Sequence, residues 1–335
     1  MPRKTLAIAV MLTVVSGCDN VEWGGSTVAL KGPPPRAEMV AEAPGLAAAL
    51  AEDAPPVIEL PTGPLLLAGT RSGTTATLTV VGEVQGDAIG PFPSEEDVPG
   101  YRELFTTELL PIGSEWVLFS RGVRVGRMTV AETGLTDGYC TVRPTVSGPV
   151  ELTPNAASIG RLMALPIEHA TARDFGTNAA LQHDYDQRVA SLNLAATAIQ
   201  RVGAAFPPDG ALSIRQDIQV FRFPGEDNPR IAATFVHQDR IDTSEPAAGA
   251  YSIFVLGDFA GGTSYRPGYV GYRPSDDEGK GVPRYFDHLD WDGDGRTEIL
   301  LDVFGTEGRW FTSLGERSGS WVTTSLDSCG AVAGN

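Results

Sequence analysis

The sequence contains few of the residues and motifs on which many enzymes depend. Only three of its 335 residues are cysteine and four are histidine. It lacks the GxSxG, HExxH, Walker and GxGxxG motifs of common enzyme families. The histidines, His169, His183, His237 and His288, are scattered, and none stands in a nucleophile–base arrangement. These absences favour a protein other than an enzyme.

Basic residues are also few: the sequence has 25 Lys and Arg against 42 Asp and Glu, which gives a net charge of −17. A strongly acidic surface repels nucleic acid and anionic lipid headgroups. We therefore expect no nucleic-acid partner.

The N-terminus has the pattern of a bacterial export signal. Arg3 and Lys4 precede an apolar run, residues 6–15, that is shorter than the roughly 20 residues of a membrane-spanning helix. The run ends in Val-Ser-Gly-Cys18, which resembles the lipobox of bacterial lipoproteins. The resemblance implies that residues 1–17 are removed, that Cys18 carries the lipid (palmitate), and that the chain is membrane-anchored in the cell envelope, facing the periplasm or the exterior. The alternative is ordinary secretory cleavage beside a chance cysteine.

Residues 18–64 are rich in proline and predict a semi-rigid tether. After lipidation two cysteines remain, Cys140 and Cys329. A single pair in an oxidising compartment is a candidate disulfide, and two separate thiols are the alternative.

The remaining chain predicts a mainly β fold, because short runs rich in Val, Thr, Leu and aromatic residues alternate with turn residues. We expect two β domains, residues 65–150 and 207–335, joined by a connector, residues 151–206, with one amphipathic α-helix. The stretch SEWVLFSRGVRVGRMTV predicts a hairpin that turns near Arg121-Gly122.

The connector helix is predicted from apolar residues at three- and four-residue intervals. Thr177 or Asn178 would cap its start and Gly203 its end. His183 and Asp184 would lie in its first turn, as a metal ligand and general acid or as a solvated turn. The predicted apolar face consists of Leu181, Tyr185, Val189, Leu192, Ala196, Ile199 and Val202.

The segment HLDWDGDGRTEILL, residues 288–301, places aspartates at alternate positions. Carboxylates this close repel one another unless a cation or water screens them. Counting Asp290 as position 1, Asp292 and Asp294 follow at 3 and 5, and Glu298 at 9. Hard oxygen donors in a flexible loop favour Ca²⁺. An EF-hand needs glutamate at position 12, where this chain has Leu301.

The DxDxDGxxE pattern before an apolar strand resembles the calcium loop of FG-GAP or VCBS-type repeats, which form integrin-like propeller blades. The resemblance covers residues 286–324 and implies a blade-like C-terminal part. It also implies Asp290, Asp292, Asp294 and Glu298 as ligands, with the carbonyl of Arg296. A solvated acidic turn is the alternative. His288 is either a base beside the metal or a surface or half-buried structural histidine.

Residues 261–281 interleave tyrosine and arginine with glycine, a composition that recognition loops favour. The alternative is a long hairpin whose tyrosines cover a sheet edge. The candidate binding residues are Tyr265, Arg266, Tyr269, Tyr272 and Arg273.

Together these features predict a non-catalytic binding or scaffolding module with structural Ca²⁺, whose partner is another envelope protein or a glycan. The alternative is a calcium-stabilised envelope hydrolase acting on polysaccharide or peptide. Such an enzyme would place two carboxylates, or a His–acid pair, across a cleft.

Overall fold

The computed structural model describes residues 59–92, 100–170, 181–275 and 279–327. Within these ranges the chain forms sixteen strands in three antiparallel sheets, which confirms the mainly β prediction. All of these residues belong to one compact unit that begins at Pro56. The predicted signal peptide, most of the tether, and both Cys18 and Cys329 lie outside the described residues.

The first sheet has eight strands and closes on itself. Its order is β3-β2-β1-β8-β4-β5-β7-β6, and β7 also pairs with β2. Strands β1, β2, β7, β5, β4 and β8 therefore form a closed ring, and β8 comes from the predicted connector. The strands are β1 (Leu65–Ser72), β2 (Thr75–Gln85), β3 (Ala88–Ile89), β4 (Glu115–Ser120), β5 (Val123–Thr129), β6 (Glu132–Thr136), β7 (Arg143–Leu152) and β8 (Arg161–Pro166).

Strand β1 shows how this ring is built from alternating side chains. Leu65 and Leu67 pack in one buried cluster with Trp116 of β4, whereas Leu66 and Ala68 pack in a second cluster. Because successive side chains of a strand point to opposite faces, β1 is buried on both sides. Helix α1 (Tyr101–Leu109) adds two aromatic side chains to the first cluster, and a short helix α2 (Ile167–Ala170) follows β8.

The predicted hairpin between β4 and β5 is confirmed. It turns at Arg121 and Gly122, whose φ angles are 53° and 73°. Two consecutive positive φ angles match the twist of the flanking strands. A side chain at Gly122 would also come within 2.8 Å of Pro224.

The second sheet is a four-stranded meander of order β12-β11-β10-β9. Helix α3 (Tyr185–Val202) packs against it, and Leu194 and Ile199 share a buried cluster with Ile231 and Val255. The strands are β9 (Arg215–Phe221), β10 (Arg230–His237), β11 (Tyr251–Gly261) and β12 (Ser264–Pro274).

The predicted start of α3 is wrong, although its end at Gly203 is confirmed. The N-cap is Asp184, whose side chain accepts the N–H of Gln187 at 2.8 Å while the Gln187 side chain accepts the N–H of Asp184 at 3.0 Å. Thr177 and Asn178 lie outside the described residues, and His183 precedes the helix. The Asp184 carboxylate is thus committed to a capping box.

The predicted apolar face of α3 is partly correct. Of its seven residues Ile199 is buried, and Leu181, Leu192 and Val202 are half-buried against the same cluster, whereas Tyr185 is 71% exposed. The buried face instead contains small residues, which allow close approach to the sheet: a Cβ at Gly257 would lie 2.5 Å from Leu194 Cδ1. The buried residues are Ala190, Ser191, Leu194, Ala195, Ala198 and Ile199.

The third sheet is another four-stranded antiparallel meander, of order β13-β14-β15-β16. Leu301 and Trp310 pack against Phe254 of the second sheet. Trp291 and Leu300 pack in the cluster that contains Leu66 and Ala68 of β1, which we call the outer cluster of the first sheet. The strands are β13 (Val282–Leu289), β14 (Glu298–Phe304), β15 (Arg309–Arg317) and β16 (Ser320–Leu326).

Candidate metal centre

The acidic loop connects β13 to β14 and brings its three aspartates together. One side-chain oxygen from each of Asp290, Asp292 and Asp294 lies within 4.8 Å of the others. Oxygens that share a Ca²⁺ at 2.3–2.6 Å can be at most about 5 Å apart. The three carboxylates are therefore close enough to bind one cation.

The backbone of the loop folds around these carboxylates. Asp290 accepts the N–H groups of Gly293 at 2.6 Å and Gly295 at 3.1 Å, and Asp292 accepts that of Asp294 at 3.0 Å. Gly293 and Gly295 have φ angles of 83° and 88°, a region that favours glycine. The glycines therefore allow the turn that holds the carboxylates together.

Glu298 lies at the inner side of the loop, at the start of β14, and is 1% exposed. Its Oε2 accepts the N–H of Trp291 at 3.3 Å. Burial, together with the negative charge of Asp292, raises the pKa of Glu298 to about 9. Burial likewise raises the pKa of Asp292, beside Asp294 and Asp290. A divalent cation would remove this penalty by favouring the ionised forms.

The loop is anchored at Trp291 and exposed at its tip. Trp291 is 1% exposed and packs with Leu289 and Leu300 in the outer cluster of the first sheet. At the tip, the Arg296 guanidinium is exposed, with Nε 3.9 Å from an Asp294 oxygen. The Arg296 carbonyl as a ligand stays a prediction.

His288 is a structural residue within the core. Its Nδ1 lies 2.5 Å from the hydroxyl of Tyr285, and its ring is 5.0 Å from that of Phe221. It is 0% exposed, and burial lowers its pKa to about 3, so the ring is neutral. Asp287 beside it accepts the N–H of Arg121 at 2.9 Å. This cluster joins the β4–β5 turn to β13, and a substrate cannot reach its imidazole.

Comparison of the chain with protein-family models, curated proteins and solved structures finds no match. The site must therefore be interpreted from its own geometry. Within the described ranges, no helix is both long enough and apolar enough to cross a membrane.

The five candidate binding residues lie on a strand rather than a loop, as the hairpin alternative expects. Tyr265 packs against Phe259 with ring centroids 5.7 Å apart. Tyr269, Tyr272 and Arg273 line a cavity of about 230 Å³ between the second and third sheets. Arg266, in contrast, lines a separate cavity of about 710 Å³. The structure thus divides the five residues among three environments.

Cys140 is exposed in the segment between β6 and β7, and its N–H donates to the carbonyl of Arg309 at 2.9 Å. The disulfide to Cys329 stays a prediction.

The sequence analysis missed the larger cavity. Its charged residues, among them Glu226, Arg230 and Asp258, come from four separate segments of the chain. No local motif connects them, and only the alignment of turns at one end of two sheets brings them together.

Proposed function

We propose that the acidic loop binds one Ca²⁺ through the side chains of Asp290, Asp292, Asp294 and Glu298 and the carbonyl of Arg296. The observation that carries this proposal is the meeting of three aspartate oxygens within 4.8 Å above a buried glutamate. Carboxylate and carbonyl oxygens are ligands that Ca²⁺ prefers.

The proposed role of the ion is to stabilise the fold. The loop joins two strands of the third sheet and is fixed by Trp291 against the first. A bound cation would offset the repulsion between the aspartates and hold Glu298 ionised at the start of β14. The ion would thereby stabilise the contact between the two sheets.

We further propose that the protein is a non-catalytic binding or scaffolding module, anchored to the bacterial envelope through a lipid on Cys18. The anchor rests on the lipobox resemblance. The absence of catalysis is supported by the enclosure of His288 and by the pairing of the carboxylates in the larger cavity. There, Glu226 and Asp258 both pair with the guanidinium of Arg230 instead of facing one another across the cavity.

Calcium binding can be tested with terbium, which substitutes for calcium and emits when excited through a nearby tryptophan such as Trp291. We expect saturable luminescence from the full-length protein that Ca²⁺ displaces. Asp292→Ala should abolish it, and the exposed Asp209→Ala should retain it. Luminescence that is equal in both variants would refute the site.

A further inference from the structure

A cavity of about 710 Å³ lies at one end of the second and third sheets. The β9–β10 turn, the β11–β12 hairpin and the β15–β16 hairpin form its walls, and Arg201 at the end of α3 adds to its rim. Pockets of 300–1,000 Å³ are typical of small-molecule sites.

Arg230 organises the inner part of this cavity. Its guanidinium donates to both carboxylate oxygens of Glu226, at 3.0 and 3.2 Å, and also bonds Asp258. The same group lies over the rings of Phe223 and Trp321, at 4.6 and 5.7 Å from their centroids. Because its side chain is only 16% exposed, the ion-paired network is held in one arrangement.

A glycine makes room for this network. A Cβ at Gly268 would come within 2.3 Å of an Asp258 oxygen. The backbone of β12 therefore approaches the carboxylate more closely than any other residue would allow.

The charges of the cavity nearly cancel. Glu226, Asp227, Asp258 and Glu316 contribute four carboxylates, and Arg201, Arg230 and Arg266 contribute three guanidinium groups. A lining with this many charges disfavours an apolar ligand. The near balance of positive and negative charge disfavours a polyanion or a polycation as the ligand.

We infer that this cavity binds a short neutral oligosaccharide, an inference that rests on the proposed binding function and names its site. Neighbouring sugar hydroxyls both donate and accept hydrogen bonds. Planar carboxylate, guanidinium and amide groups, such as those of Glu316, Arg266 and Asn228, can bond two of them at once. Half-buried Phe259 offers aromatic surface to the apolar face of a pyranose ring.

The inference can be tested by calorimetric titration of the full-length protein with cellotetraose, maltotetraose and chitotetraose. We expect at least one of them to bind, and Asn228→Ala and Glu316→Ala to weaken that binding tenfold or more. Glu108→Ala, an exposed acid on α1, is the matched control and should bind as the wild type does. Tetragalacturonate and tetra-alanine serve as charged comparison ligands.

Failure to bind any neutral tetrasaccharide would overturn the inference, as would equal binding by all three variants or tighter binding of either charged ligand. Terbium luminescence on the same samples separates this failure from failure of the calcium proposal. Cleavage of a bound tetrasaccharide, detected by mass spectrometry, would support the cavity as the sugar site and contradict the non-catalytic proposal.

Discussion

Replacing Glu298 with glutamine should stabilise the calcium-free protein at neutral pH. The pKa of Glu298 is about 9 in the folded protein, against an ordinary value of 4.5. At pH 7 the unfolded chain therefore carries an ionised carboxylate, whereas the folded protein must hold the proton. From pH 4.5 to pH 7, roughly 2.5 pH units at about 1.4 kcal/mol each, the penalty in unfolding free energy reaches about 3.5 kcal/mol.

The penalty at Glu298 makes the unfolding free energy of the calcium-free protein depend on pH. A raised folded-state pKa leaves stability intact below pH 4.5 and lowers it progressively as the pH rises toward 9. The amide of Glu298→Gln does not titrate, and its oxygen can still accept the N–H of Trp291. The difference in unfolding free energy between variant and wild type in EDTA should thus grow with pH.

Urea unfolding at pH 5, 7 and 9, with Glu108→Gln as the exposed control, measures this difference. In millimolar Ca²⁺ the wild type should be the more stable of the two proteins, because it keeps the Glu298 carboxylate as a ligand of the ion and the variant has lost it. Unfolding free energies of wild type and variant that run parallel with pH in EDTA would refute the reasoning.

Three further predictions concern the helix, the cysteines and the anchor. Asp184→Ala removes the capping box of α3 and should lower the unfolding free energy by about 1 kcal/mol in urea titrations, whereas Asp184→Asn should restore most of it. A bridge between Cys140 and Cys329 would close a loop of more than 100 residues and contribute about 4–5 kcal/mol in the entropic model, so reductant should lower the melting temperature. Two titratable thiols in the oxidised, denatured protein would contradict that bridge. Mass spectrometry of the mature N-terminus should find a diacylated Cys18, and an unacylated first residue would contradict the lipobox assignment.

The strands were predictable because their signals are local. The stretch SEWVLFSRGVRVGRMTV contains β4 and β5, and its Arg121-Gly122 turn has the left-handed backbone that a two-residue hairpin requires. The close approach of the three aspartates also follows from alternate positions in a glycine-containing loop. The residues that determine each of these features lie close together in the sequence.

The contacts between distant segments were not predictable. Closure of the first sheet depends on β2 pairing with β7, which no local pattern indicates. The face of α3 was only partly predicted because hydrophobic periodicity favours large side chains, whereas the buried residues of this helix include three alanines, and Leu194 lies close to Gly257. Glu298 is buried beside Trp291, which packs against residues of the first sheet. This environment joins distant segments, so the raised pKa of Glu298 could not be foreseen from the sequence.

The central claim, that the acidic loop stabilises the fold by binding Ca²⁺, is tested most directly by thermal melting in EDTA and in millimolar Ca²⁺. The wild type should melt at a higher temperature in calcium, with a gain of about 1.4 kcal/mol for each tenfold rise in free Ca²⁺ above the dissociation constant. Asp292→Ala should lack this increase, and Asp209→Ala should keep it. A wild-type melting temperature that does not change with calcium would contradict the account and leave the loop a solvated acidic turn.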